Sequence, residues 1–318
     1  MTTEADYFGP GRQPLKESAR LSRHAAAASV AVALILTLTK AGAWAMSDSV
    51  SLLSSLADSA LDVAASLITF GAIAYAATPP DAEHRFGHGK AEGLSALFQA
   101  ALVLISATLV AREAVGRFID PQPIDHGAVA LAVTLFALVL TGGLIAYQSR
   151  VVRRTGSVAV GGDRAHYMSD FMVNGAVIVG VALGAFAGLE RADAAIGFLV
   201  AVWLAIAAIN VARSAFDLLL DRELPDSARA QILALAKDDP RILGVHQLRT
   251  HASGAAIRIQ FHIDLDPAIS LQAAHEILVA AEKRILAQFP AADILIHPDP
   301  RGRAEPHGPE LAARREAG

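Results

Sequence analysis

The sequence predicts a polytopic α-helical membrane protein, in which six transmembrane helices precede a small C-terminal α+β domain. Of its 318 residues, 53% are hydrophobic and 18% are charged, and its mean hydropathy is +0.42. About a quarter of an ordinary soluble domain is charged. Six apolar stretches are long enough to cross a bilayer, and in lipid each must be a helix. They cover residues 24–46, 50–77, 92–119, 126–149, 160–188 and 192–214.

Basic residues in alternate connections predict how these helices are oriented. The N-terminal arm (residues 1–23), the link after the second helix and the link after the fourth are rich in Lys, Arg or His, and the opposite connections are poorer. By the positive-inside rule, both termini are therefore cytoplasmic, and the transmembrane domain covers residues 24–220. No small-residue cleavage site follows the first apolar run, which predicts a retained helix. The basic residues are Arg12, Lys16, Arg20, Arg23, His84, Arg85, His88, Lys90, Arg150, Arg153 and Arg154.

The composition after residue 220 is that of a soluble domain, which we place at residues 221–301. Its elements follow the order αββαβ, and Ser270 is the expected N-cap of the second helix. Residues 302–318 are polar, without apolar periodicity, and are expected to be a disordered tail. The predicted elements are a helix at 227–237, strands at 245–250 and 256–265 with a turn at Ser253-Gly254, a helix at 270–289 and a strand at 293–297 that ends before Pro298.

Two features of the composition limit the chemistry. The chain contains no Cys, which excludes disulfides and thiolate metal sites, so any metal ion must be held by His, Asp and Glu. The net charge of -4 gives no support for binding nucleic acid.

Two pairs of ionisable residues lie within the apolar stretches. Asp58 and Asp62 are four positions apart in the second helix, and His166 and Asp170 are four apart in the fifth. This spacing places each pair on one helix face, so two neighbouring helices can direct three carboxylates and one imidazole at a single ion. The alternative is that these groups form interhelical hydrogen bonds and bind no ligand. Because ionisable residues at membrane depth are costly, we interpret them as a transport site.

The repulsion among three neighbouring carboxylates suggests a mechanism. Without metal the cluster should hold protons, and a divalent ion must displace them because metal ligands are deprotonated. If the site faces either side in turn, the protein is a metal/proton antiporter that works by alternating access.

The link after the second helix contains a second candidate site. Asp81, His84 and His88 are spaced three and four apart, and three ligands leave an open position that is typical of exchangeable metal. A polar membrane-proximal turn is the alternative interpretation.

The soluble domain contains a third candidate site, with two metal ions bridged by a shared His or carboxylate. An isolated His on a strand is more often a surface or core residue, and His24, His126, His251 and His307 are interpreted in that way. The candidate ligands are His246, His262, His275, His297 and Asp299.

These residues fall within motifs that resemble the cation diffusion facilitator family, most closely its bacterial zinc/ferrous-iron efflux branch. The resemblance covers about residues 15–301. The motifs are Ala57-Asp58-Ser59-Ala60-Leu61-Asp62, His84-Arg85-Phe86-Gly87-His88-Gly89-Lys90-Ala91-Glu92, His166-Tyr167-Met168-Ser169-Asp170, Leu220-Asp221-Arg222 and His297-Pro298-Asp299-Pro300.

The resemblance implies a homodimer in the cell inner membrane, whose cytoplasmic domains have a metallochaperone-like fold. It assigns the three ligand sets above to a transport site, a link site and a binuclear site. It also implies that Lys90 and Asp221 form a charge pair at the dimer interface, which joins the membrane helices to the soluble domain. One His with three Asp implies a preference for zinc, transported and also bound in the soluble domain. Cadmium, iron(II) and cobalt remain alternatives.

Two other functions were weighed against a divalent-cation exporter. A membrane metallohydrolase requires a metal-bound water, and a site filled by four protein ligands leaves no position for it. A membrane-bound metal sensor would not require two matched ligand pairs at membrane depth. The sequence therefore predicts a transporter and not an enzyme.

Overall fold

Six long helices form the N-terminal part of the protein. The computed structural model describes residues 9–47, 50–120, 128–187 and 192–302. His126, His307 and nearly all of the predicted tail lie outside these residues. The helices are α1 (Leu15–Ser47), α2 (Val50–Ala76), α3 (Ala91–Ile119), α4 (Ala128–Thr155), α5 (Val158–Ala187) and α6 (Ala192–Leu219).

Five helices within the described residues, all except α5, are long and apolar enough to cross a membrane. α5 carries four ionisable residues in its first half, Asp163, Arg164, His166 and Asp170. It packs against α3, α4 and α6, so other helices surround much of its surface. The six-helix bundle confirms the predicted architecture of this part of the chain.

Two helices extend further than the hydropathy predicted. α1 begins at Leu15, within the predicted N-terminal arm, and α4 continues to Thr155. The expectation that Arg150, Arg153 and Arg154 form a link was wrong, because they lie in the last turns of α4. A helix does not have to end where the apolar run ends, since long basic side chains reach water from its final turns.

Small residues allow the membrane helices to approach closely. Ala25 and Ala159 are fully buried in one cluster. Gly162 of α5 faces Ala96 of α3, and a Cβ added at Gly162 would lie 3.1 Å from the Ala96 Cα. Packing through small side chains is typical of helices in lipid, where no hydrophobic force drives them together.

The C-terminal domain has the predicted αββαβ order and a three-stranded sheet. The strand order is β1-β2-β3, with β1 antiparallel and β3 parallel to the central β2. The parallel pair is joined through a helix, as a parallel connection requires. Ser270 caps that helix by accepting a hydrogen bond from the Ala273 N–H at 3.2 Å. The elements are α7 (Asp226–Lys237), β1 (Gly244–Ser253), β2 (Ala256–Leu265), α8 (Leu271–Gln288) and β3 (Ala292–Pro300).

The central strand shows how this sheet divides core from surface. Alternate residues of β2, from Ile257 to Leu265, are buried with apolar residues of α7 and α8. The residues between them are Arg258, Gln260, His262 and Asp264, which are exposed or half-buried. The sheet therefore has one apolar face under the helices and one polar face, which is available for ligands.

Two details of this sheet differ from the prediction. The prediction that the last strand ends before Pro298 was wrong, because β3 continues to Pro300. β3 is an edge strand of this sheet, where proline is tolerated because its missing N–H faces away from the ladder. In β1 the register shifts between His246 and Arg249, and Gln247 has a φ of 51° there. This β-bulge changes which face the following residues occupy.

The segment before α1 is docked on the C-terminal domain. The Gly11 N–H donates to the Ala255 carbonyl at 3.0 Å, and the Ala291 N–H donates to the Gly11 carbonyl at 3.3 Å. Gly11 has a φ of 89°, and a Cβ there would lie 2.6 Å from Ile257 Cδ1. Any other residue would therefore strain the backbone and displace the Ile257 side chain. Arg12 stacks on the Phe289 ring at 4.4 Å. The N-terminal segment and the C-terminal domain therefore lie at the same end of the bundle.

Candidate metal sites

Asp62, His166 and Asp170 meet between α2 and α5. His166 Nε2 lies 3.0 Å from Asp62 Oδ1 and 3.8 Å from Asp170 Oδ2. One ligand atom from each residue lies within 4.8 Å of the others. Two ligands at about 2.1 Å from a tetrahedral zinc ion are about 3.4 Å apart, between the two measured distances. The three groups can therefore contact one ion after small movements.

Asp58 lies one turn before Asp62 on α2, and its side chain is exposed. It does not belong to the compact group of ligand atoms, although it interacts electrostatically with Asp170. Three of the four predicted transport-site residues are therefore assembled, and the fourth lies nearby.

Tyr167 fixes the position of α5 beside this cluster. Its hydroxyl donates to the Ser29 carbonyl at 3.0 Å and is 2.8 Å from Ser66 Oγ. The ring is 1% exposed and meets the His166 ring edge-on, with 5.7 Å between centroids. Tyr167 thus joins α5 to α1 and α2 and limits the orientations available to His166.

Sequence reasoning missed Lys40 of α1, a basic residue beside the cluster. Its Nζ donates to Ser59 Oγ at 2.7 Å and to the Ser55 carbonyl at 3.2 Å, and it interacts electrostatically with Asp58, Asp62 and Asp170. A single Lys inside the apolar run at 24–46 was the available signal.

Sequence reasoning also missed Asp163, a buried carboxylate on α5. It accepts hydrogen bonds from Ser29 Oγ, from Gln148 Nε2 at 2.7 Å and from Gln99 Nε2 at 3.5 Å. These partners come from α1, α4 and α3, and all four side chains are buried. The network joins four helices close to His166.

The link residues Asp81, His84 and His88 also come together. Asp81 Oδ1 is 3.4 Å from His84 Nδ1, and Asp81 Oδ2 is 3.2 Å from His88 Nε2. Thr78 Oγ1 is 2.9 Å from His88 Nδ1, which orients that ring. The His84 N–H donates to Asp81 Oδ1 at 2.6 Å and holds the pKa of that carboxyl below its usual range. The site therefore presents an ionised carboxylate and two imidazoles.

In the soluble domain, three His form a row across the sheet. His246 is the register partner of His262, which is the partner of His297. The neighbouring ring centroids are 5.3 and 4.7 Å apart. A row of imidazoles on one face of a hydrogen-bonded sheet is a rigid ligand set.

The compact group of ligand atoms consists of His246, His262 and Asp299 of β3, and it does not include His297. The Asp299 Oδ2 is 2.9 Å from His262 Nδ1 and 3.4 Å from His246 Nε2, and the Asp299 Oδ1 is 3.4 Å from His297 Nε2. The Asp299 side chain is 6% exposed. The buried His246 Nε2 makes no hydrogen bond within the described residues. An unsatisfied nitrogen facing a buried carboxylate fits a position for a metal ion.

Two further residues concern this soluble-domain site. Asp264 was not predicted, yet its Oδ1 lies 3.5 Å from His246 Nε2; its alternation with His262 along β2 was the available signal. His275 was predicted as a ligand, but it is exposed on α8 and is not part of the compact group of ligand atoms.

Between the bundle and the soluble domain, Lys90 Nζ lies 2.9 Å from Asp221 Oδ2. The other Asp221 oxygen is 3.6 Å from His251 Nε2. The Arg258 Nη2 donates to the Phe86 carbonyl at 2.9 Å, and the Arg258 guanidinium stacks on the Phe86 ring at 4.2 Å. The link residues and the sheet are therefore in direct contact, around a cavity of about 460 Å³.

Comparison with known proteins accounts for both parts of the chain. Residues 26–220 match the family model described as the cation efflux transmembrane domain. Residues 224–301 match a second model, ZT_dimer, described as the cation efflux protein cytoplasmic domain, whose name points to a homodimer.

Curated relatives match along most of their length. The cation-efflux pump FieF of Serratia proteamaculans is 42% identical over 282 residues, which are 89% of this chain and 94% of the relative. FieF of Shewanella oneidensis is 41% identical over 276 residues, which are 87% of this chain and 93% of the relative.

A solved structure also resembles part of the chain. It is the metal-bound C-terminal domain of the CzcD transporter from Thermotoga maritima, with 28% identity, a TM-score of 0.24 and coverage of 24% of this chain and 92% of that one.

Proposed function

Since the chain belongs to the cation diffusion facilitator family of divalent-cation efflux pumps, we propose that it exports zinc from the cytoplasm in exchange for protons. As a member of this family it is a transporter and not an enzyme. The observation that carries the proposal is the group formed by Asp62, His166 and Asp170, whose ligand atoms lie within 4.8 Å of one another between two membrane helices.

The ligand chemistry favours zinc among the divalent ions. An imidazole nitrogen with carboxylate oxygens suits zinc better than manganese or magnesium, which prefer oxygen alone. The distances around His166 bracket the spacing of a tetrahedral ion. Cadmium, iron(II) and cobalt share much of this chemistry and are the competing cargoes.

Proton exchange follows from the charges at the cluster. Asp58, Asp62 and Asp170 repel one another when the ion has left, and binding protons relieves that repulsion. An incoming ion must displace the protons because carboxylates and imidazole bind metal when deprotonated. Exposure of the site to each side in turn then couples zinc export to proton entry.

The chain is a multi-pass membrane protein with a cytoplasmic C-terminal domain. Because Gly11 bonds to Ala255 and Ala291 of that domain, we place the N-terminal segment in the cytoplasm too. The membrane would be the bacterial inner membrane, where an exporter can use the proton gradient.

For the soluble-domain site, we propose a stabilising role within a homodimer. His246, His262, His297 and Asp299 would hold zinc, which offsets the charge of the buried Asp299 carboxylate. Metal bound to the folded dimer stabilises it by mass action. The link residues Asp81, His84 and His88 would hold zinc exchangeably near the cytoplasmic entrance.

Zinc uptake into proteoliposomes tests the transport proposal. Uptake should depend on an imposed pH gradient, and Asp62→Ala should abolish it, because the substitution removes a carboxylate 3.0 Å from His166. Asp226→Ala is the matched control, since the Asp226 side chain is fully exposed on α7. Gradient-dependent uptake by Asp62→Ala at the control rate would refute the assignment of the site.

A further inference from the structure

Lys40 is a basic residue embedded among the membrane helices. It lies in α1, seven residues before the end of that helix, and is half-buried. A charge at such a position is energetically costly, so we treat Lys40 as a candidate functional residue. Within the described residues, its hydrogen bonds go to two oxygens of α2, Ser59 Oγ and the Ser55 carbonyl.

These two serine contacts hold the ammonium beside the transport site. Ser59 directly follows Asp58 and precedes Asp62 by three positions, so Lys40 is held at the level of both carboxylates. Its charge interacts with Asp62, Asp170 and Asp58. Because the hydrogen bonds are to serine oxygens, the carboxylate oxygens remain available to a metal ion.

The charges of the site suggest what Lys40 does. Three carboxylates carry three negative charges, a divalent ion supplies two positive charges, and neutral His166 supplies none. With the carboxylates ionised, the Lys40 ammonium faces a net charge of -3 when the ion is absent and -1 when it is bound. Because its attraction to the empty site is the stronger one, the ammonium stabilises the empty site more than the occupied site, and in a medium of low dielectric constant this difference is large.

Building on the proposed transport function, we propose that Lys40 is a tethered counter-cation that weakens the transport site's hold on its divalent ion. A protonated amine has no lone pair for the metal, so its effect on the ion is repulsion. The same charge attracts the carboxylates and stabilises the empty site. Both effects favour release, which a transporter needs as much as binding.

Two substitutions separate charge from packing. Lys40→Met removes the charge and keeps a long flexible chain, whereas Lys40→Arg keeps the charge. In proteoliposomes, Lys40→Met should lower the KM for zinc about tenfold and also lower kcat, because the ion binds more tightly and leaves more slowly. Lys40→Arg should stay within about threefold of the unmodified protein. A fall in kcat with unchanged KM in both variants would indicate a structural role and overturn the proposal.

Equilibrium binding provides a test that does not depend on transport. The full-length protein, carrying Asp81→Ala and His262→Ala to weaken the other two sites, is titrated with zinc in detergent. All variants are titrated at the same near-neutral pH, well below the ordinary pKa of a lysine amine, so that they differ in charge at position 40. Lys40→Met, or Lys40→Gln if the former does not fold, should bind zinc about tenfold more tightly. Equal or weaker binding would overturn the role of Lys40.

Asp62→Ala in the same background distinguishes this inference from the proposed function. The substitution should abolish the remaining zinc binding. If it does not, the transport-site assignment fails, whatever the Lys40 variants show. If it does and Lys40→Met leaves the affinity unchanged, only the counter-cation proposal fails.

Discussion

The membrane site and the soluble-domain site each bring three ligand atoms within 4.8 Å of one another, but on different kinds of scaffold. The membrane site lies between two helices, α2 and α5, whose backbone hydrogen bonds are internal to each helix. The soluble-domain site lies across strands that are hydrogen-bonded to one another. Helices can tilt or slide without losing backbone bonds, whereas strands cannot separate without breaking them. The first scaffold suits release of an ion, and the second suits retention.

The ligand types of the two sites also suit release from the membrane site and retention in the soluble domain. The membrane site is rich in carboxylates and has the Lys40 charge beside it, whereas the soluble-domain site is rich in imidazole and has a buried carboxylate at its centre. If the membrane site binds metal as proposed, its repelling carboxylates should make binding sensitive to protons. A row of imidazoles held in register would favour metals that accept nitrogen ligands.

The largest expected effect comes from removing the imidazole of the membrane site. His166→Ala should lower zinc flux in proteoliposomes by about 100-fold or more, because it removes the one nitrogen ligand at the centre of the cluster. Zinc binding by the soluble domain should be unchanged. His24→Ala, at an exposed position of α1, is the control. Flux above a tenth of the control would show that helices α2 and α5 do not form the transport site.

The second substitution, His262→Ala, tests the soluble-domain site. His262→Ala should lower zinc affinity there by about 100-fold and remove the zinc-induced rise in dimer stability, because His262 contacts Asp299 at 2.9 Å. Flux should fall by only a few fold. Isothermal titration and chemical cross-linking measure the two effects.

His275→Ala sharpens this test, because His275 lies outside the compact group. Its effect on affinity should stay below about tenfold. An effect as large as that of His262→Ala would mean that His275 reaches a metal site from another protomer. An unchanged zinc response in His262→Ala would contradict the retention role.

The contact between the two regions can be disturbed at Gly89. A Cβ added there would lie 2.3 Å from the Ser253 carbonyl oxygen, so Gly89→Ala must separate the link from the β1–β2 turn. We expect a loss of about 1–3 kcal/mol, measured by thermal unfolding. Gly71→Ala in α2 is the control, since a Cβ at Gly71 would meet nothing within 4 Å. Equal melting temperatures for the two variants would show that the link and sheet do not stay in contact.

The smallest effect is expected for the Lys90–Asp221 pair, which joins the same two regions. Their side chains are 45% and 44% exposed, and exposed pairs contribute less than about 1 kcal/mol. A double-mutant cycle with Lys90→Ala and Asp221→Ala measures the coupling. A value above about 2 kcal/mol would contradict an exposed pair and indicate that a second protomer covers it.

The sequence predicted the helices and the ligand pairs because both follow from local spacing. Residues four apart on a helix share a face whatever surrounds them, so His166 and Asp170 could be paired in advance. The approach of Lys40 depends on how α1 packs against α2, and the burial of Asp163 depends on α1, α3 and α4. No local pattern specifies those contacts.

The soluble domain shows the same limit. Alternation along β2 predicted the polar face correctly, but β1 contains a bulge at Gln247. Because of the extra residue, His246 and His251 face the same side although they are an odd number of positions apart. The shift depends on pairing with β2, which sequence spacing alone does not reveal.

The docking of the N-terminal segment has a consequence for the order of events during synthesis. Arg12 and Gln288, whose side chain and carbonyl it contacts, are 276 positions apart. Arg12 therefore leaves the ribosome long before its partner exists. The segment before α1 can dock only after Ala255, Gln288 and Ala291 have been synthesised, long after the six membrane helices.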